Sequence, residues 1–212
     1  MALVNNFFKY FSRNFLIINI LINIKNFFSW CFRDFLTWSP PFVKRNVIKK
    51  YSKNKSILIE TGTNRGDNVY NLRNFFVSLF SIEASKYYYN YASKRLKKYK
   101  NITLLLGTSE SELEKLILTV IKNYKNIPIT FFLDAHYDGK GTKTFKKNIC
   151  PIKQELKLIK KYMHLMPKVT IIIDDFRTFG LNNYPHQSVL LDFVSTIKKD
   201  FIIEHDMFIC LT

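Results

Sequence analysis

The stretch Ile57-Leu58-Ile59-Glu60-Thr61-Gly62-Thr63-Asn64-Arg65-Gly66-Asp67 contains the strongest structural signal of the sequence. An apolar run that ends in an acid is typical of a buried strand, and two glycines four residues apart precede a predicted helix. Gly62 permits a sharp turn with a close backbone approach, and Gly66 opens the helix, whose first N–H groups suit a polar or anionic ligand. The stretch predicts a strand–turn–helix unit that binds a ligand, with a plain structural turn as the alternative.

Strand-like and helix-like segments alternate from this unit to the end of the chain. Predicted strands cover residues 56–61, 80–83, 102–106, 127–134 and 169–174, and predicted helices cover 67–79, 84–99, 110–123, 151–163 and 186–199. Five β-α units in succession predict a parallel sheet with helices on both faces, because each parallel crossover needs a helix. The final strands, 201–204 and 207–211, are joined by two residues, which permits only an antiparallel hairpin. The pattern therefore predicts a doubly wound α/β fold.

The composition fits one domain with an appendage and excludes several classes of protein. The chain has 212 residues, of which 47% are hydrophobic, so overall disorder is excluded. Three widely spaced cysteines without a CxxC pair argue against a disulfide scaffold or a cysteine zinc site. A reducing compartment follows, and we predict a cytoplasmic protein.

The formal charge of +17 has two interpretations. It arises from 33 Lys and Arg against 16 Asp and Glu, and it favours a nucleic acid or an anionic membrane as a partner. Alternatively, the codons of Lys, Ile and Asn are AT-rich, so genome composition alone would raise the lysine content. Only 7 of the 33 basic residues are Arg, the side chain best suited to forked phosphate recognition. Both interpretations stay open.

Residues 1–38 differ from the rest of the chain and are predicted to form an amphipathic helical extension. Apolar side chains recur along it at helical spacing, and its longest uncharged stretch, residues 14–24, is 11 residues long. A membrane-spanning helix needs about 20 apolar residues, so no span is predicted. Three alternatives remain: a helix at a membrane surface, with peripheral membrane association; a helix docked on its own domain or a partner; and a secretory signal. A basic linker or helix at 39–55 leads to the domain at 56–212.

Glu83 ends the strand predicted at 80–83, about 20 residues after the glycine turn. In nucleotide-binding βαβ units an acid at this place accepts hydrogen bonds from the ribose hydroxyls. An acid at the end of a strand is also common as an ordinary solvated residue. The combination with Gly62 and Gly66 favours the binding role.

The chain from about residue 41 to residue 212 resembles the class I S-adenosylmethionine-dependent methyltransferases. Four stretches carry the resemblance and look like a little-characterised branch of that superfamily: the glycine turn from Glu60 to Asp67, Leu133-Asp134-Ala135-His136-Tyr137, Cys150-Pro151-Ile152 with Glu155-Leu156, and Ile173-Asp174-Asp175-Phe176-Arg177. The resemblance implies a Rossmann-like sandwich with a mostly parallel seven-stranded sheet and an antiparallel last strand. It also implies S-adenosylmethionine (SAM) as the cofactor.

The resemblance further implies which residues bind this cofactor. They are Glu60, Gly62, Gly66, Asp67, Glu83, Ser109 and Asp134. In the family's pattern the acid at Glu83 binds the ribose, and the segment that contains Ser109 lies at the adenine. The chain departs from the pattern at Asn64, where a middle glycine is usual, and at Thr108, where an acid is usual nearby.

Asp134, His136, Asp174 and Asp175 follow two predicted strands, at the edge where ligands of open parallel sheets bind. If the two strands are neighbours, as the resemblance implies, these groups face the acceptor beside the sulfonium methyl group. His136 is suited to take a proton from an acceptor near neutral pH, with Asp134 and Asp175 as further catalytic candidates. Alternatively, Asp134 with Asp174 or Asp175 holds Mg²⁺, or the acids are structural partners of Arg177 or a helix end.

The leading prediction is a SAM-dependent methyltransferase that acts on an unidentified oxygen or nitrogen acceptor, either a small molecule or an anionic one. The polar loop at 137–144, with Lys146 and Lys147, would recruit an anionic acceptor or would be a plain surface loop. Two rivals remain. One is a non-catalytic cofactor- or partner-binding Rossmann-like module at a membrane, favoured by Asn64 and Thr108, and the other is an RNA or cap methyltransferase, favoured by the charge.

Overall fold

The computed structural model describes residues 16–33, 39–134, 150–181 and 184–212. The chain divides into two compact units, residues 1–44 and 45–212. The boundary between the units falls inside the basic segment that the sequence predicts as a linker or helix. The finer division into an extension, a linker and a catalytic domain stays a prediction.

The first unit contains helix α1, Leu16–Cys31, and the beginning of helix α2, Pro41–Tyr51. The helical spacing of the sequence predicts α1, and exposed apolar side chains such as Leu21 and Phe28 lie along it. None of the helices in the part of the chain that the structure describes is long and apolar enough to cross a membrane. Contact with a membrane surface stays a prediction.

The second unit is built on a seven-stranded sheet with the strand order β3-β2-β1-β4-β5-β7-β6. Its strands are β1 Ile57–Thr61, β2 Ser78–Glu83, β3 Ile102–Leu106, β4 Ile129–Leu133, β5 Val169–Ile173, β6 Phe201–Glu204 and β7 Met207–Leu211. The first five strands pair in parallel, whereas β7 runs antiparallel to both β5 and β6. The predicted mostly parallel sheet with an antiparallel last strand is therefore confirmed.

Helices cover both faces of this sheet. They are α3 Asp67–Leu72, α4 Lys86–Leu96, α5 Ser109–Asn123, α6 Ile152–Tyr162 and α7 Ser188–Ile197. The apolar sides of α5, α6 and α7 pack on one face, and those of α3, α4 and the second half of α2 pack on the other. Along β1, Ile57 and Ile59 belong to the first cluster and Leu58 to the second. Burial on both faces explains why the strand is a continuous apolar run.

The helix predicted at 67–79 is wrong in length, because α3 ends at Leu72 and β2 already begins at Ser78. The intervening turn is held by the Asn101 side chain, whose amide nitrogen donates to the carbonyl oxygen of Arg73 at 2.8 Å. The Val77 N–H then donates to the carbonyl oxygen of Ser56, which starts the parallel ladder. These partners are distant in sequence, so the helical pattern alone could not show where the helix ends.

Candidate functional site

The turn after β1 has the tight geometry that its glycines predict. Gly62, Asn64 and Gly66 all have positive φ angles, of 92°, 49° and 74°. Asn is among the residues that tolerate this left-handed conformation, which explains how Asn64 replaces a middle glycine. A Cβ atom at Gly66 would lie 2.7 Å from Leu96 Cδ1 of α4. A Cβ atom there would make Leu96 shift, and the φ of 74° strains other residues, so both favour glycine at this position whether or not a ligand binds.

Glu60 lies at the end of β1 and is almost fully buried, with 1% of its surface exposed. Its carboxyl group accepts hydrogen bonds from the Ser81 hydroxyl and, at 2.9 Å, from the Asn68 side-chain amide. The pKa of Glu60 is raised to about 8. Burial is the main cause, and the nearby carboxyl groups of Asp134 and Glu83 add to it, while these two hydrogen bonds oppose it. Glu60 therefore carries a proton at neutral pH unless a positive charge is close to it.

Glu83 ends β2 beside the glycine turn, where the sequence predicts a ribose-binding acid. One carboxylate oxygen accepts the backbone N–H of Asn64 at 2.7 Å, and the other accepts the backbone N–H of Ser85 at 2.7 Å. The side chain is 5% exposed. These two contacts fix the orientation of the carboxylate at the end of β2.

Asp67 and Ser109, both predicted to bind the cofactor, lie at the first turns of α3 and α5. The Asp67 carboxylate makes an ion pair with Arg95, with 2.6 Å between Oδ1 and Nη1. Ser109 is buried and follows Thr108, which is the N-cap of α5 and accepts the backbone N–H of Ser111 at 3.3 Å. The cap accounts for a hydroxyl residue at 108, where the family pattern has an acid nearby.

The two acids at the ends of β4 and β5 lie side by side, as predicted. Leu133 pairs with Ile173, so Asp134 and Asp174 follow at the same edge of neighbouring strands. Asp174 accepts the backbone N–H of Asp175 at 2.8 Å, and Asp175 begins a short 3₁₀ turn with a φ of 54°. Both acids are buried.

The sequence also predicts a catalytic base, an acceptor loop, a partner for Arg177 and a metal site near this edge. His136 and the polar loop at 137–144 lie outside the described residues. The Arg177 guanidinium pairs with Asp206, with 2.6 Å between Nε and Oδ2. Within the four described ranges, no group of three or more His, Cys, Asp or Glu side chains is arranged to hold a metal ion, so the structure gives no support for the Mg²⁺ alternative.

A cleft opens between the ends of β4 and β5 and the beginning of α6. Its empty space is about 230 Å³, including space open to solvent. The polar side chains that line it are Asp134, Cys150, Glu155, Asp174 and Tyr184. The apolar side chains that line it are Leu133, Ile152, Ile173 and Phe179. We call this space the β4–β5 pocket.

Cys150 and Tyr184 are neutral groups in this pocket. The pKa of the Cys150 thiol is raised to about 12, mainly by burial and also by the charges of the nearby acids Glu155 and Asp134. Burial also raises the pKa of Tyr184 above its usual range, helped by the charge of Asp175. A thiol with so high a pKa is a poor nucleophile, so Cys150 does not supply chemistry of its own.

Glu155 is the functional candidate that the sequence analysis missed. It lies in the first turn of α6 with 2% of its surface exposed, and burial raises its pKa to about 7. The hydroxyls of Ser109 and Thr61 lie close enough to lower that pKa. Even so, neither Glu155 Oε1 nor either hydroxyl oxygen makes a hydrogen bond of good geometry within the described part of the chain.

A signal for Glu155 was present in the sequence. Ile152, Leu156 and Ile159 form the buried side of α6, and Glu155 has the spacing of that same side. An acid on the apolar side of an amphipathic helix is unusual, because an unpaired buried carboxyl group is costly. The resemblance singled out this acid without a role.

No protein-family model and no curated protein sequence matches the chain. Solved structures do match. One is SMU.1697c from Streptococcus mutans, a putative methyltransferase in complex with S-adenosylhomocysteine (SAH). It matches at a TM-score of 0.51 and 14% identity, over 82% of this chain and 98% of that one. An rRNA methylase from Streptococcus thermophilus matches at a TM-score of 0.47 and 15% identity, over 82% of this chain and 96% of that one. A SAM-dependent methyltransferase from Aquifex aeolicus matches at a TM-score of 0.45 and 15% identity, over 78% of this chain and 86% of that one. The match at 0.51 shows a shared fold, and it confirms at that level the Rossmann-like resemblance.

Proposed function

We propose that this protein is a methyltransferase that binds SAM at the carboxyl edge of β1 and β2 and transfers its methyl group to an oxygen or nitrogen nucleophile. The fold supports the proposal, because ligands of open α/β sheets bind at this edge. The observation that carries it is the cluster of carboxyl groups there. Glu60, Glu83 and Asp134 lie close enough together to raise the pKa of Glu60.

The charge of this edge favours SAM over a dinucleotide. A dinucleotide places its pyrophosphate on the first turn, against the N-terminus of a helix of useful length. Here the helix after the glycine turn, α3, has only six residues, and the Glu83 carboxylate accepts a hydrogen bond from the backbone of that turn at Asn64. A phosphate would be repelled, whereas SAM, with a sulfonium, an ammonium and one carboxylate group, carries a net positive charge and no phosphate.

In this proposal Glu83, Gly62 and Glu60 each contact a different part of SAM. The Glu83 carboxylate is fixed by two backbone N–H groups at the end of β2, and in this proposal it accepts the ribose hydroxyls. The backbone of Gly62 gives a close approach on the neighbouring strand. When bound, SAM supplies a methyl group on a positively charged sulfur. Glu60 stabilises that charge as it loses its proton.

The proposal is tested by isothermal titration calorimetry with SAM, SAH and NAD⁺. We expect SAM and SAH to bind and NAD⁺ not to bind. Glu83→Gln keeps the shape of the side chain but removes its charge, and it should weaken the binding of SAM and of SAH by tenfold or more. Asp192→Asn, which removes the charge of an exposed acid on α7, is the control and should bind as the wild type does. Absence of heat with both SAM and SAH would overturn the proposal.

A further inference from the structure

The charge of the second unit is divided unevenly along the chain. Residues 45–109, whose helices pack on one face of the sheet, contain 13 Lys and Arg against three acids, and two of those acids, Glu60 and Glu83, are buried. Residues 110–212 contain 15 Lys and Arg against 12 acids. The sheet face that carries α3, α4 and the second half of α2 is therefore the strongly basic part of this unit.

An AT-rich genome does not explain this division. Codon composition raises the lysine content along the whole chain, whereas acids are scarce in residues 45–109 and frequent in 110–212. Four of the chain's seven arginines also fall within residues 45–109, namely Arg45, Arg65, Arg73 and Arg95. The division indicates that the positive charge of this face serves a purpose, and the partner that such a face suits is a polyanion.

Arg73 presents an oriented positive charge at the end of α3. Its guanidinium carbon Cζ lies 4.1 Å from the centre of the Tyr70 ring and 5.0 Å from the centre of the Tyr99 ring. Its Nη1 donates a hydrogen bond to the carbonyl oxygen of Tyr70. Among the described residues Arg73 makes no ion pair with an acid. The two rings hold the guanidinium in place, and its charge is not neutralised by the protein.

Lys98 brings a second positive charge to the same place. Its Nζ lies 5.2 Å from the centre of the Tyr99 ring. Burial acts to raise the pKa of Tyr99, but hydrogen bonds to Tyr70 and Lys98 and the charges of Lys98 and Arg73 lower that pKa below its usual value. The local potential therefore favours a negative charge. We call Tyr70, Arg73, Lys98 and Tyr99 the Arg73 cluster.

The side chains around the Arg73 cluster distinguish between possible polyanions. The exposed side chains of residues 67–74 and 86–101 are five lysines, three asparagines and Tyr87. A membrane surface site needs several apolar side chains that insert between lipids, and this surface has none besides the Tyr87 ring. Lysines neutralise phosphates, asparagine amides bond to base edges, and an exposed aromatic ring stacks on a base. The combination fits a single-stranded nucleic acid.

We propose that the surface formed by α3, α4 and residues 97–101 binds the phosphate backbone of a single-stranded nucleic acid, with the Arg73 cluster as one phosphate site. Arg73 makes a forked contact with one phosphate group, and Lys98 neutralises the same phosphate or the next one. The exposed lysines along α4 neutralise further phosphates. This binding does not depend on SAM, so it stands or falls separately from the proposed function.

The test measures fluorescence anisotropy of labelled oligouridine and oligodeoxythymidine, each of about 12 nucleotides, with the full chain between about 50 and 200 mM KCl. We expect binding whose logarithmic affinity falls linearly with the logarithm of the salt concentration, by about 0.7 for each phosphate contact. The two oligonucleotides distinguish RNA from DNA as the source of the phosphates. Polyglutamate of the same length is the matched polyanion and should bind at least tenfold more weakly.

A pair of double variants assigns the binding to this surface. Arg73→Gln with Lys98→Gln should weaken oligonucleotide binding at least tenfold at 100 mM KCl and should reduce the salt slope by about 1.4, the loss of two phosphate contacts. Lys157→Gln with Lys160→Gln removes the same charge from exposed side chains of α6 on the other face, and it should change the affinity less than twofold.

Two further variants guard against a change in folding or in charge alone. Arg73→Lys keeps the charge but loses the planar fork, so binding should weaken at least threefold with little change in the salt slope. Lys94→Gln with Lys97→Gln alters only exposed side chains and should weaken binding at least fivefold even if changes at Arg73 prevent folding.

Three outcomes would overturn the proposal. The first is absence of binding to both oligonucleotides, and the second is binding of polyglutamate with equal affinity, which would show attraction to any polyanion. The third is an equal loss in the α6 double variant, which would show that net charge alone matters. Vesicles that contain phosphatidylserine are the membrane control. If the Arg73 and Lys98 double variant loses vesicle binding but keeps oligonucleotide binding, the partner is a membrane and the proposal is overturned.

Discussion

The ends of β1 and β2 and the ends of β4 and β5 both contain buried acids, but the two regions satisfy them differently. At β1 and β2, Glu60 and Glu83 accept hydrogen bonds from side chains and backbone N–H groups of the protein itself. At β4 and β5, Glu155 Oε1 has no such partner in the described chain. The acids of the first region are therefore held by the protein's own groups, whereas the Glu155 carboxyl group is buried without a hydrogen bond of good geometry from the described residues.

The largest expected effect concerns the proton on Glu60. Its pKa rises from the usual 4.5 to about 8 on folding, so the folded state binds the proton more tightly. The free energy of unfolding is then highest below pH 4.5 and falls as the pH rises to 8, by on the order of 4 kcal/mol. Glu155 adds a smaller fall of the same sign, up to pH 7. Glu60→Gln should lose the larger part of this slope.

Urea unfolding of the wild type and Glu60→Gln at pH 5, 7 and 9 measures this slope. Glu60→Gln should be clearly more stable than the wild type at pH 9 and similar to it at pH 5. A wild type whose stability rises between pH 5 and 9, or a variant with an unchanged slope, would contradict the assignment of the proton to Glu60.

A smaller loss is expected when the glycine turn is altered. Gly66→Ala places a Cβ atom 2.7 Å from Leu96 Cδ1 at a φ of 74°, so overpacking and backbone strain should together cost about 3 kcal/mol. Gly180→Ala is the matched control, because it has a φ of 90° but its nearest contact is 3.7 Å away, and it should cost about 1 kcal/mol. Thermal unfolding of both variants measures the difference. Equal losses would show that the turn is not packed tightly against α4.

The smallest effect is expected at Asp67, which the family resemblance assigns to the cofactor. Its carboxylate is paired with Arg95, and this ion pair is partly exposed, so Asp67→Asn should cost less than about 1 kcal/mol of stability. SAM affinity should change less than threefold. Calorimetric titration of Asp67→Asn and Glu83→Gln with SAM compares the two affinities. A loss of SAM affinity as large as that of Glu83→Gln would place Asp67 in the cofactor site.

The sequence predicts features that depend on near neighbours along the chain. The apolar run at Ile129–Leu133 and the two-residue link before Met207 specify the buried strands and the hairpin, and the structure confirms both. The end of α3 was not predictable, because Asn101 holds it from another part of the fold. The sequence shows Glu155 as an acid on the apolar side of α6, but it does not show what surrounds it. Its neighbours Thr61 and Ser109 meet it only when three elements converge at one edge of the sheet.

The central claim is that the acidic edge of β1 and β2 binds a cation with an adenosyl group. Calorimetric titration of SAM at pH 7, in two buffers of different ionisation enthalpy, tests it directly by counting protons. We predict that SAM binds and that up to one proton per site is released, because the sulfonium charge favours ionised Glu60. Absence of SAM binding, or proton uptake on binding, would contradict the account.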